Sequence, residues 1–139
     1  MSADVDLVRG AFEAFTRVAA GDTSALAEAT DPLDPDIVWY GTVGGLDEQH
    51  VYRGKQAVAE AAGESFATWE KLVLEAERYI DAGDGRVVVF WHEIARTRHS
   101  SVEIEDRTAV IYTVRNERIV EVRAYMNRDE ALEAAGVSL

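Results

Sequence analysis

Three segments, RVVVFWHEIARTR (Arg86–Arg98), VEIEDRTAVIYTVR (Val102–Arg115) and RIVEVRAYM (Arg118–Met126), follow one another with little between them. Each lacks Gly and Pro and is rich in β-branched and aromatic residues, which suits extended chain. Leu72–Ile80 precedes them with the same character. The links are Asp81-Ala-Gly-Asp-Gly85, His99-Ser-Ser101 and Asn116-Glu117. None of them can hold a crossover helix, so the four strands form an antiparallel meander.

Upstream the periodicity changes. Val5, Val8, Phe12 and Phe15 mark one stripe of a first helix, which ends near Gly21. Asp22 or Thr23 caps a short helix, Ser24–Ala29, predicted to bury Leu26. Pro32 and Pro35 place a turn at Asp31–Pro35. Ile37–Tyr40 reads as a short strand, Gly41–Gln49 as a loop, His50–Tyr52 as a second short strand and Lys55–Thr68 as a helix. Arg128–Ala135 is a terminal helix closed by Gly136. Helices first and long strands afterwards give an α+β class, with helices on one face of a sheet. The 139 residues make one domain, 1–139, long enough for a core without staples.

Composition excludes several functions. There is no Cys, which removes disulfides, thiolate catalysis, Cys-ligated zinc and iron–sulfur clusters. The three histidines have no metal-ligand spacing, so no metal site is expected. Gly83 and Gly85 are turn glycines in no phosphate-loop context, and nothing in the chain calls for a cofactor. A formal charge of −12 argues against nucleic acid and anionic membranes as partners. The longest apolar run, Val87–Trp91, is too short to span a bilayer, and Asp4 and Asp6 stand where a signal peptide would be basic. A cytoplasmic protein is therefore expected. Arg outnumbers Lys 12 to 2, a bias of GC-rich bacterial genomes.

Alternation assigns strand faces. On Arg86–Arg98, Val87, Val89, Trp91, Glu93 and Ala95 oppose Val88, Phe90, His92 and Ile94. On Val102–Arg115, Glu103, Glu105, Arg107, Ala109, Ile111 and Thr113 oppose Ile104, Asp106, Thr108, Val110, Tyr112 and Val114. Both faces of both strands carry large apolar groups, so both are expected to be covered. Helices cover one face, and a partner subunit is the simplest cover for the other.

The order of motifs resembles the nuclear transport factor 2-like superfamily, in particular its SnoaL-like proteins. Phe12-Glu-Ala-Phe15 and Ala20-Gly-Asp-Thr23 lead to Asp34-Pro-Asp-Ile-Val-Trp39 and Val51-Tyr-Arg-Gly54. Ile80-Asp-Ala-Gly-Asp-Gly85, Glu105-Asp-Arg107 and Asn116-Glu-Arg-Ile-Val-Glu-Val-Arg-Ala-Tyr125 follow. The likeness runs from about Val5 to Gly136. It implies a cystatin-like cone: a curved, largely antiparallel (mixed) sheet, N-terminal helices over its concave face, a pocket inside, and homodimers through the convex face.

Matching the family's strand order places the odd-numbered residues of the two long strands in the cone, with Val122, Ala124 and Met126 after them. Trp39 joins them at the same depth, and Phe15 and Tyr52 lie near the mouth. The implied pocket is lined by Phe15, Trp39, Tyr52, Trp91, Ala109, Val122, Ala124 and Met126 and suits a hydrophobic small molecule. Glu93 and Arg107, with Glu105 nearby, are its polar groups. Glu93 and Arg107 form either an acid–base pair or a structural ion pair. Trp39, Trp91, Tyr52 and Phe15 are either a ligand cage or ordinary core. Trp69 reads as packing, and Tyr112 and Tyr125 as convex-face residues suited to a dimer.

Ketosteroid isomerases of this fold use a first-helix tyrosine, an aspartate after the first strand and a protonated acid on the penultimate strand. Those places fall at Ala14 or Phe15, at Gly41 and at Ala109. Limonene-epoxide hydrolases need an aspartate where this chain has Ala124, and the acid–base set of SnoaL-type cyclases has no counterpart on these strands. The resemblance thus leaves a cofactor-free isomerase, cyclase or hydrolase acting through Glu93 and Arg107, a non-catalytic carrier, or a dimeric scaffold.

Overall fold

The computed structural model describes residues 2–138. Helix α1 (Ala3–Ala19) starts where the Ser2 hydroxyl accepts from the Val5 N–H, with Asp4 and Asp6 in its first turn. It buries Val5, Val8, Ala11, Phe12 and Ala14. A 3₁₀ turn (Thr23–Ala25), capped by the Asp22 carboxylate on the Ser24 N–H, leads into α2 (Leu26–Thr30). The buried residue here is Ala25, while Leu26 is 47% exposed. This corrects the expectation for Leu26, and the cavity described below explains it.

Strand β1 (Leu33–Val43) starts four residues earlier than the sequence suggested. Pro35 falls inside it, at an irregularity where the pairing jumps from Leu33 opposite Ile119 to Val38 opposite Glu121. A proline costs nothing at a position with no ladder partner, so the strand tolerates what a regular one would not. Then follow β2 (Val51–Arg53), α3 (Lys55–Thr68), β3 (Trp69–Gly83), β4 (Arg86–Thr97), β5 (Ile104–Arg115), β6 (Arg118–Tyr125) and α4 (Arg128–Ala135). The sheet order is β2-β1-β6-β5-β4-β3. All neighbours are antiparallel except β1 with β6, so the sheet is mixed. The β5–β6 hairpin turns at Asn116 and Glu117, both at positive φ, the two-residue geometry that matches strand twist.

The inner face meets α1 and α3. Its core joins Val8, Phe12, Leu33, Ile37 and Val58 to Val87 and Val89 of β4, Val110, Tyr112 and Val114 of β5, and Val122 and Ala124 of β6. On β4 the odd-numbered residues face inward, as predicted. On β5 the even-numbered ones do. The register explains why: Val87 lies opposite Tyr112, Val89 opposite Val110 and Trp91 opposite Thr108, so odd residues meet even ones. A register offset of one residue exchanges the two faces of a strand.

The outer face has its own cover. Helix α4 packs Ala131 and Ala135 on Ile80, Val88, Ala109 and Ile111. Asn127 caps its start and Gly136 ends it in the left-handed conformation. Arg128 pins it to the sheet: Nε donates to the Thr108 carbonyl, Nη2 to the Trp91 carbonyl, and the guanidinium lies over the Phe90 ring. Part of the apolar surface ascribed to a partner subunit is thus covered by the chain's own C-terminal helix.

Candidate functional site

A cavity of about 560 Å³ opens between α1, α2 and α3 and reaches the inner face of the sheet. Its wall is apolar and aromatic. Phe15 stands 6.2 Å from Trp39 and 5.2 Å from Phe66, ring centre to ring centre. Val18, Leu26, Val58, Ala62 and Trp69 continue the lining, and Tyr112 closes it at the sheet. Leu26 is exposed because it faces this space rather than the core. A smaller hollow of about 160 Å³ adjoins it, sharing Phe15, Trp39, Ala62 and Phe66 and adding Tyr52 and Asp47. The Tyr52 hydroxyl lies 3.4 Å from His50 Nδ1 at this end.

Of the residues expected to bind ligand, Phe15 and Trp39 line the large cavity and Tyr52 the small one. Trp91 packs edge-on against Phe12 at 5.7 Å, within the core. Val122 and Ala124 also lie in that core, on the inner face but behind the cavity lining. Ala109 is on the other face, under α4, because of the β5 register. Met126 follows the end of β6, packs beside Gly44 and is 40% exposed. Tyr112, assigned to the convex face, is buried in the inner one, where burial pushes its phenol up. Phe66, Trp69 and Tyr112 are thus lining residues that strand-face reasoning missed. The signal for Tyr112 was present: Glu105 and Arg107 share the odd face of β5 and are exposed.

The expected pair of Glu93 and Arg107 does not exist. Arg107 projects from the outer face, where its neighbours are Glu77 and Glu105, each at 3.7 Å. Glu105 also contacts His92 at 2.6 Å on that face. Glu93 points inward, opposite Leu74 on β3 and Asp106 on β5. Desolvation by burial raises its pKa, and the Asp106 charge raises it further. It lines neither hollow. Its neighbours on the inner face are Trp91 and Thr108, whose Nε1 and Oγ1 are buried without a hydrogen-bond partner among the described residues. Among the described residues no group of three or more His, Asp or Glu could hold a metal ion. No described helix is long and apolar enough to cross a membrane.

The Glu93 environment makes a signed prediction. An acid with a raised pKa holds an extra proton in the folded state, so folding loses stability as pH rises through the ordinary carboxylate range and above. Glu93→Gln is therefore expected to raise the melting temperature by a few degrees at neutral pH. The gain should vanish at pH values where Glu93 is protonated in both states. Thermal melts across the acidic to neutral range check this, and a variant less stable than wild type at neutral pH would refute it.

The SnoaL-like domain family matches residues 8–122. The chain belongs to that family. The curled mixed sheet with helices inside it is the family's α+β cone, as the sequence motifs implied. Three solved structures show how widely this SnoaL-like fold is shared. An NTF2-like protein of unknown function from Burkholderia pseudomallei K96243 is 20% identical, with 96% of this chain and 97% of that one covered and a TM-score of 0.75. TerC co-crystallised with polyporic acid is 17% identical, with 97% and 99% covered and a TM-score of 0.71. A hypothetical protein of ketosteroid isomerase-like fold from Catenulispora acidiphila DSM 44928, in complex with trimethylamine, is 13% identical, with 92% and 93% covered and a TM-score of 0.68. No curated protein matches this SnoaL-like chain.

Proposed function

We propose that this SnoaL-like protein binds an apolar small molecule in the cavity between its helices and the sheet. The observation that carries the reading is a hollow of about 560 Å³ walled by Phe15, Trp39, Phe66 and Trp69. That volume lies within the range of small-molecule sites, and the mixture of aromatic wall and few polar groups is typical of them. TerC with polyporic acid and the Catenulispora protein with trimethylamine supply precedents for small organic molecules bound to this fold.

Binding is a better account than acid–base turnover by the pair first considered. Glu93 and Arg107 lie on opposite faces of the sheet, and neither lines the cavity. The charged side chains that do are Glu70 and Arg98, and Tyr112 is the buried polar group at the floor. Glu93→Gln should accordingly leave ligand affinity unchanged.

The test is titration of the purified protein with apolar ligands, read by the fluorescence of Trp39 and Trp69. Ala62 lines both hollows. Ala62→Trp fills that space and is expected to abolish binding, with stability altered by less than about 1 kcal/mol. Binding that survives the filled cavity would overturn the reading. Native mass spectrometry of the wild-type protein would reveal a retained ligand.

A further inference from the structure

We propose that the ligand is an apolar carboxylate and that Arg98 at the cavity mouth binds its charged end; the inference rests on the cavity being a ligand site. Arg98 follows β4 and lines the cavity together with Trp69 and Glu70. Its Nε donates to the Ala67 carbonyl at 3.0 Å. Ala67 lies in the last turn of α3, whose terminal carbonyls have no partner within the helix. This bond fixes the plane of the guanidinium and leaves the Nη1–Nη2 edge to engage both oxygens of a carboxylate.

The neighbouring charges make Arg98 the group that selects an anion. Glu70, the acid at the same mouth, is taken up by Arg96 at 3.3 Å. Arg96 also lies 4.0 Å from Glu103, which holds Lys71 at 2.6 Å. Among the described residues Arg98 makes no such ion pair. Arg53, Arg78, Arg86, Arg115, Arg118 and Arg123 likewise make no ion pair among the described residues, so what sets Arg98 apart is its place in the cavity lining. From Arg98 the cavity runs inward over Trp69, Phe66, Phe15 and Trp39, a largely apolar course whose polar side chains are the neutral Thr23, Thr30 and Tyr112. The shape of the site therefore specifies one anionic end and an apolar body. Arg98 is exposed, so the contact is open to solvent and salt, and the bond from its Nε to Ala67 lowers the side-chain freedom lost on binding.

Decanoic acid and decan-1-ol, equal in chain length, provide the test by calorimetry at neutral pH and low salt. Wild type is expected to bind decanoate at least about tenfold more tightly than the alcohol, since a charge-assisted hydrogen bond contributes that much. Added salt should narrow the difference. Arg98→Gln is expected to bring decanoate down to the level of decanol and leave decanol unchanged. Equal wild-type affinities would overturn the role of Arg98 while leaving the cavity reading intact. A variant that weakens both ligands alike would also overturn it, showing that Arg98 only supports the end of α3. If neither compound binds wild type, the cavity reading fails and the carboxylate proposal falls with it.

Discussion

Phe12→Ala is expected to destabilise the protein by roughly 3–5 kcal/mol, the usual cost of removing a buried aromatic ring. Phe12 is 1% exposed. Its ring meets Tyr79 of β3 at 6.4 Å and Trp91 of β4 at 5.7 Å, both edge-on, and Phe15 of its own helix at 6.4 Å. Aromatic pairs in this geometry add to the stabilisation from burial alone. The site cannot collapse around the loss, because Val87 and Val89 sit on a sheet whose spacing is set by backbone hydrogen bonds. Against a total stability of about 5–15 kcal/mol, this one change consumes a large fraction. The melting temperature should fall by roughly 10–20 °C. Urea unfolding measures it directly, and a loss below about 1 kcal/mol would show that α1 is not anchored to the sheet through this ring. Phe12→Leu keeps much of the volume and should recover most of the difference.

The second large effect is expected at Gly41. Here the constraint is space: a Cβ on Gly41 would overlap the backbone carbonyl of Asp47. The segment after β1 folds back over that position, with the Gly41 N–H donating to the His50 carbonyl and the Thr42 N–H to Asp47 Oδ1. Gly41→Ala must push this segment away or distort β1, at a cost of about 1–3 kcal/mol or more. Amide exchange should quicken at Gly41, Thr42 and His50, while β4 and β5 keep their protection. Unchanged exchange in the 41–50 segment would refute the packing described. The same overlap bears on chemistry. Gly41 is the position at which the resemblance to ketosteroid isomerases calls for a catalytic aspartate. No side chain fits there while Asp47 holds its place, so Gly41→Asp is expected to disrupt the loop without creating isomerase activity.

Much of the architecture was legible in the chain itself. Helix α4 runs from Arg128 to Ala135 as its capping residues implied. Asn116 and Glu117 form the two-residue hairpin turn, and β4 starts at Arg86 with its two faces divided as alternation divided them, the inward one being that implied by the family's strand order. These are local matters of periodicity, capping and turn length. The aromatic pair Phe15 and Trp39 was also reached, through the family's motif order. What failed were properties shared between segments. Ala109 and Arg107 were placed in the cone and Tyr112 outside it, because alternation labels two faces of β5 without saying which one turns inward.

The residues alone determined an α+β meander with helices against it, since the pattern of apolar side chains and short links admits little else. Only the folded chain decided which hollow exists and what borders it. The β4–β5 register sent Glu93 and Arg107 to opposite faces. The fold-back of the 44–50 segment closed Gly41 to any side chain. The packing of α1, α2 and α3 on the sheet left a space bounded by Phe66, Trp69, Arg98 and Tyr112. A cavity is what several elements fail to fill together, so its walls belong to residues far apart in sequence. No single stretch carries their signature.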